Sequence, residues 1–295
     1  MDFRKLIDSS SEAARRSLSH QVKEDWDQFL IQGSMAIELL GKATLVRIHP
    51  SLIVDKDFDS LLVVSGGLKY SKRKDPWSIK TVGAVELLTR CAQVIPDLKS
   101  VEGKLRVLAD LRNSVVHIGA PPPKEMGEIL DAFLRGAVIH LEWLVSDQKA
   151  YFGEYYDYVQ KRLDARLADV NKLVAGKIAS AKSVFDEKYG SLESHVWHGI
   201  EAVVSKSLNP IRYEQIVATC PACGCDGLLS GTCQLEWDQF DEDDPGDMSL
   251  RLNAKDFNCP FCNLHLDGVD ELKAAGLRAT MTLEPEDLYD FMIDD

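Results

Sequence analysis

Two groups of residues in this chain have the types and spacings that chemistry needs. The first is Leu111-Arg112-Asn113-Ser114-Val115-Val116-His117-Ile118-Gly119. Imidazole titrates near neutral pH, so His117 can take or give a proton. A guanidinium stays charged and answers charge building on phosphate-type oxygens with forked donors, which is the role open to Arg112. Asn113 can orient the imidazole or the anion. A plainer reading stays open beside this one, in which His117 caps its helix and Arg112 pairs with a surface carboxylate. The second group is Cys220-Pro221-Ala222-Cys223-Gly224 with Cys259-Pro260-Phe261-Cys262-Asn263. Four thiolates in two Cys-x-x-Cys pairs suit a closed tetrahedral zinc site. Glycine or asparagine after the second cysteine permits the tight turn in which amides point at sulfur. Cys225, Cys233 and His265 are substitutes that fit the paired geometry less well. A zinc whose four positions are all filled by protein has no place for water, so its expected role is structural, with no cofactor left for catalysis.

The elements that must position the first group are helical. Leu105, Leu108, Leu111 and Val115 or Val116 recur at helical spacing from about Lys99, and Gly119 with Pro121-Pro122-Pro123 stops the pattern. Asn113 and His117 then share a face, with Arg112 about 100° to one side. Upstream, Gln21 to Ile48 predicts a long amphipathic helix with Trp26, Phe29, Leu30, Ile37, Leu40 and Val46 inside, and His49-Pro50 breaks it. Ser9 to Ser19 is polar and reads as a short helix or a loose arm. Glu38 and Lys42 are spaced for an i,i+4 ion pair. Ser78 to Ile95 and the apolar run Lys124 to Asp147 are further helices, with Cys91 and His140 as packing residues. Between them and the first helix, Gly66-Gly67 opens a loop where Lys69, Lys72, Arg73 and Lys74 alternate with Tyr70 ahead of Trp77. That composition fits either a nucleic-acid patch or a solubilising loop.

The helix-end motif resembles the signature of the HEPN superfamily, an arginine, usually a polar residue, and a histidine four to six positions on. Glu38-Leu39-Leu40-Gly41-Lys42-Ala43 in the first long helix, followed by Pro50-Ser51-Leu52-Ile53, is similar to that family as well. The resemblance covers roughly residues 20 to 145. It implies a small helical bundle whose last core helix ends in the motif. It also implies pairing of two protomers so that their motifs face each other, and RNA cleavage without a metal through the 2′-hydroxyl. On this reading Arg112 and His117 are catalytic, Asn113 assists, and Glu38 is a supporting polar residue.

Tyr151 to Tyr189 is a charged helix with a narrow apolar stripe (Leu163, Leu167, Val170, Leu173, Val174, Ile178, Ala181), suited to pairing with another helix in this chain or a second copy. Ser191 to Leu208 is a shorter helix whose His195 and His198 lack nearby ligand partners in sequence. Between the cysteine pairs, Cys233 to Trp237 and Ser249 to Phe257 read as a hairpin around the acidic turn Asp241 to Asp247, the outline of a zinc ribbon. The expected architecture is therefore mainly α: a HEPN-like helical bundle over 1–148, a helical linker over 149–212, and a small β-rich zinc ribbon over 213–295.

Charge is distributed unevenly over the chain's net −13. Up to Ala120, 18 Lys and Arg stand against 15 Asp and Glu; from Ile216 onward 4 stand against 18. The first region can accept a polyanion, and the last should repel one, which argues against a DNA-binding ribbon regulating transcription. The N-terminus lacks an apolar signal region and no apolar run reaches the length of a membrane span, so a cytoplasmic protein without a membrane partner is expected. Seven cysteines in that compartment read as metal ligands rather than disulfides.

The expectation drawn from the resemblance is a metal-independent endoribonuclease acting as a homodimer on RNA, in its family commonly a toxin or an anti-phage defence effector. The alternative is a non-catalytic HEPN-like dimerisation or adaptor protein recruiting a protein partner through its acidic ribbon.

Overall fold

The structure, a computed structural model, describes residues 2–65, 79–119, 126–211, 213–237 and 248–283. It is mainly helical, with a curled antiparallel sheet in the C-terminal part. Two compact units divide between Arg166 and Leu167.

The first unit opens with helices α1 (Phe3–Val22) and α2 (Trp26–Ile48). Asp25 caps α2 by accepting from the Gln28 amide at 3.3 Å, which satisfies one of the orphan donors of the first turn. Ser10 Oγ donates to Ala36 O at 2.7 Å and Ser17 Oγ to Phe29 O at 3.1 Å, so the two helices run antiparallel. The polar stretch expected as a short helix or loose arm is thus a full 20-residue helix, held by serines and alanines on its buried face. After α3 (Phe58–Val64) and α4 (Ala84–Val94) come α5 (Lys99–Ile118) and α6 (Met126–Trp143). Helix α2 is central and packs against α1, α4, α5 and α6. Phe29 and Phe133 meet edge to face at 5.8 Å in a core shared with Leu40, Leu105 and Leu108. Short α7 (Gln148–Phe152) closes the unit by burying Tyr151 and Phe152.

Helix α2 is also long and apolar enough to cross a membrane by length and composition, contrary to the expectation of no such run. Two thirds of that window (67%) is buried inside the protein, so its apolarity serves the core here. His140 of α6 is fully buried, its Nδ1 2.8 Å from Thr44 Oγ1, while its Nε2 has no hydrogen-bond partner among the described residues. The expected core histidine is therefore only half satisfied. Burial holds it down to a pKa of about 4, keeping the ring neutral.

Helix α8 (Tyr156–Tyr189) carries the boundary between the units, and its later turns belong with α9 (Ser194–Ser207) and the sheet. Strands β1 (Gln215–Thr219), β2 (Asp226–Trp237) and β3 (Met248–Asn258) form an antiparallel meander. Strands β4 (His265–Asp267) and β5 (Thr280–Thr282) pair with two separate stretches of β3, and α10 (Gly268–Ala274) lies between them in sequence. Val170, Val174 and Ala181 of α8 are buried in one apolar cluster with Phe257, Phe261 and Leu266 of the ribbon. Of the seven stripe residues expected to meet another helix, Val170, Val174 and Ala181, with Ile178 packed against them, are spent on the sheet, while Leu167 and Leu173 are exposed; the later turns of α8 therefore belong to the second unit's core. Lys177 adds an ion pair to Glu271 at 2.6 Å.

Candidate functional site

The helix-end group is positioned by α5. Leu105, Leu108 and Ala109 face the core and Leu111 and Val115 pack at its edge, which turns Asn113, Val116 and His117 outward. Gly119 stops the helix at φ 59°, the left-handed conformation that glycine adopts without Cβ strain, and its amide reaches Ser114 O and Val115 O. Arg112 is half-buried, and its Nη1 donates to Asn113 Oδ1 at 2.9 Å. His117 is exposed one turn beyond Asn113, and no hydrogen bond or ion pair engages it among the described residues. Val116 and Ile118 beside it are 51% and 76% exposed.

The structure therefore brings Arg112 and Asn113 into direct contact and sets His117 on the same end of the same helix. Glu38 is occupied otherwise: it accepts from Lys42 Nζ at 2.7 Å, the ion pair its spacing suggested, and none of its hydrogen bonds goes to Arg112, Asn113 or His117. Lys69, Lys72, Arg73 and Lys74 lie outside the described residues. Chemically, the helix end offers a fixed cation, an amide and an imidazole on an open surface. The groups are those that acid–base cleavage of a phosphodiester requires, and among the described residues no wall encloses them.

The second group is built by two turns of the same design. Cys220 N–H donates to Cys225 O at 2.8 Å and Cys259 N–H to Leu264 O at 3.0 Å; Gly224 N–H reaches Cys220 O and Asn263 N–H reaches Cys259 O, both at 3.0 Å. Gly224 (φ 77°) and Asn263 (φ 60°) supply the left-handed residue each turn needs. The turns project Cys220, Cys223, Cys259 and Cys262 toward one point, with all four Sγ atoms within 4.8 Å of one another. Cys220 and Cys262 Sγ lie 3.5 Å apart, as do Cys223 and Cys259 Sγ. A tetrahedral ion with metal–sulfur bonds of about 2.3 Å separates its ligands by about 3.8 Å, so the set fits a soft divalent ion.

Electrostatics agree. A hydrogen bond from Cys259 lowers Cys220 to about 5, while burial pushes Cys223 to about 11 and Cys262 to about 12. Cys259 is raised by its bond to Cys220 and by burial. Thiols bind a cation as thiolates, so metal loading of this cluster competes with its protons. The three substitute ligands are engaged elsewhere. Cys225 Sγ donates to Cys223 O, Cys233 Sγ to Tyr213 O, and His265 Nδ1 bonds Asn258 Oδ1 at 2.8 Å. His195 sits 3.3 Å from Glu193, exposed on α9.

The chain matches no family model, no curated protein and no solved structure.

One feature of the cysteine cluster escaped the sequence. Phe261, inside the second Cys-x-x-Cys, is fully buried against Trp197 and Tyr189. The only signal was an aromatic residue between two ligands, where a small or polar one would serve the turn equally well.

Proposed function

We propose that this chain is a HEPN-type, metal-independent endoribonuclease that works in the cytoplasm as a homodimer. The observation that carries the reading is the Arg112–Asn113 hydrogen bond at the capped end of α5, with His117 one turn away. Arg112, oriented by Asn113, binds the scissile phosphate and meets the charge that grows on its non-bridging oxygens. His117 transfers a proton, either from the attacking 2′-hydroxyl or to the leaving 5′-oxygen. Two copies brought together at Val116 and Ile118 would supply the second imidazole and enclosing walls, and would cover those exposed apolar side chains. Lys69, Lys72, Arg73 and Lys74 extend the phosphate-binding surface. Glu38, paired with Lys42, is a supporting polar residue beside the active-site helix. The biological role that accompanies this chemistry is that of a toxin or anti-phage effector that cuts cellular RNA.

Zinc is the ion that four thiolates in paired knuckles suit best, and its role is structural because the cysteines fill all four positions. Incubation of purified, zinc-loaded protein with total RNA in buffer without added metal ion tests the nuclease reading. Cleavage that disappears in His117→Ala supports it; equal cleavage by that variant removes it.

A second reading is favoured by the charge balance after Ile216, where 4 cationic residues face 18 anionic ones. Such a surface suits docking to a basic protein partner. An adaptor of this kind would dimerise and bind that partner while leaving RNA intact.

A further inference from the structure

Helices α8 and α9 are joined to the cysteine cluster by one side chain. Phe261 sits between Cys259 and Cys262, and its amide donates toward Cys259 Sγ. Its ring, fully buried, lies 5.7 Å from the Trp197 ring of α9 and 6.4 Å from the Tyr189 ring of α8. Trp197 in turn meets Phe185 at 5.2 Å, nearly perpendicular, and Tyr189 at 5.0 Å. Phe185 and Tyr189 are 5.2 Å apart. The four rings form a continuous cluster from the metal turn to both helices. Aromatic contacts at these separations depend on the position and tilt of each ring, so displacement of one partner is felt by the others.

We propose that metal loading of Cys220, Cys223, Cys259 and Cys262 docks α8 and α9 onto the sheet through Phe261, making this unit a metal-gated device. The ion ties a turn that precedes β2 to a turn that follows β3, and it fixes the backbone on both sides of Phe261. When the ion leaves, four mutually close sulfurs lose the charge that holds them together and the two turns separate. Phe261 then no longer presents its ring to Trp197 and Tyr189. Lys177 of α8 also pairs with Glu271, their side chains 32% and 15% exposed, and an ion pair at a partly wet surface is a weak restraint. Helix residues Val170, Val174 and Ala181, buried in the docked state, become available as an apolar face. The metal therefore governs which surface the helical segment offers. This inference does not rest on the nuclease reading, since it concerns residues of the second unit alone.

The test uses full-length protein labelled with 5-fluorotryptophan, which gives one fluorine resonance for each of its five tryptophans. The resonance lost in Trp197→Phe identifies Trp197. Chelation, with zinc loss verified by metal analysis, is expected to shift or broaden that resonance and to leave those of Trp26 and Trp143 in place. Amide hydrogen exchange over 170–189 and 194–207 should rise at least tenfold, and added zinc should reverse both changes. Phe261→Ala should release the helices in the same way while retaining about one metal ion per chain, with Phe261→Leu partly docked. An unchanged Trp197 resonance and full protection after proven metal loss would overturn the proposal. So would a metal-loaded Phe261→Ala protein whose helices stay as protected as wild type.

Discussion

Arg112 Nη1 donates to Asn113 Oδ1 at 2.9 Å, so the cation of the helix-end motif is oriented by its own neighbour in sequence. Adjacent helix positions point about 100° apart, and the length of the guanidinium closes that gap. The pairing costs Arg112 one of its five donors and leaves the rest for an anion. A surface ion pair with a carboxylate, the plainer use of such an arginine, is not found for Arg112 among the described residues.

Removing that orientation should slow cleavage without loosening the fold. Asn113 is exposed, so Asn113→Ala should change stability by no more than about 0.5 kcal/mol. Its effect on RNA cleavage should reach about tenfold or more through the misdirected Arg112. Asn113→Asp keeps an acceptor but adds a negative charge beside the phosphate, and should be slower still. Rates measured alongside thermal unfolding separate the two effects. Wild-type cleavage by both variants would show that Asn113 has no part in the site.

His140 predicts a pH dependence of the first unit. Burial lowers its folded pKa to about 4 from an unfolded value near 6.5, so the folded state binds fewer protons than the unfolded one between those pH values. Stability from this residue is fully present above about pH 6.5 and is lost as pH falls toward 4, at about 1.4 kcal/mol per unit. The whole effect is on the order of 3 kcal/mol. Denaturant unfolding of wild type and His140→Leu at pH 7 and pH 4.5 checks this, because Leu fills the site without titrating. Parallel losses in the two proteins would assign the acid sensitivity to other groups.

Metal content is the simplest expectation for the second unit. The wild-type chain should carry about one zinc, and Cys220→Ser or Cys262→Ser should lose it together with the sheet's circular dichroism signal. The first unit, with its own core, should stay folded. Iron with a visible charge-transfer band, or no metal at all, would rule out the zinc assignment.

The helical bundle was legible where apolar side chains recur at helical spacing: Leu105 and Leu108 in α5, Phe29 and Leu40 in α2. Helix α1 was not, because four of its five buried residues are the small Ser10, Ala13, Ala14 and Ser17, with Leu18 the fifth. Small residues let two helices approach closely but barely register as hydrophobic, and the serines find their acceptors only in the folded partner, at Ala36 O and Phe29 O. The cysteine cluster was legible because a ligand turn is a local device, written entirely in Cys-x-x-Cys and the residue that follows. The docking of α8 on the ribbon was not, since a stripe such as Val170, Val174 and Ala181 looks the same whether its partner is a helix or a sheet. Glu38 shows the converse: its spacing to Lys42 gave the ion pair, while its distance from the motif depends on how helices pack.

That packing also sets where the chain is best divided. A truncation after Arg212 would strip the sheet from Val174 and Phe185 and leave them uncovered, whereas the boundary between the units lies after Arg166. If the acidic segment competes with RNA for the cations at Lys69, Lys72, Arg73 and Lys74, residues 1–166 should cleave RNA faster and bind it more tightly than the full chain. The difference should shrink as salt screens the contact. Equal rates for the two proteins, with dimerisation intact, would leave the segment a docking surface only.

The central claim is tested most directly by the cleavage rate of an end-labelled RNA in buffer without added metal ion, compared between wild type, Arg112→Ala and His117→Ala. Loss of one acid–base group should reduce the rate by about 10²–10⁴-fold. The account predicts a drop of that size in both variants, with helical circular dichroism unchanged and wild-type products ending in 2′,3′-cyclic phosphate. Cleavage by His117→Ala at the wild-type rate, or no cleavage by folded, zinc-loaded wild-type protein, would contradict it.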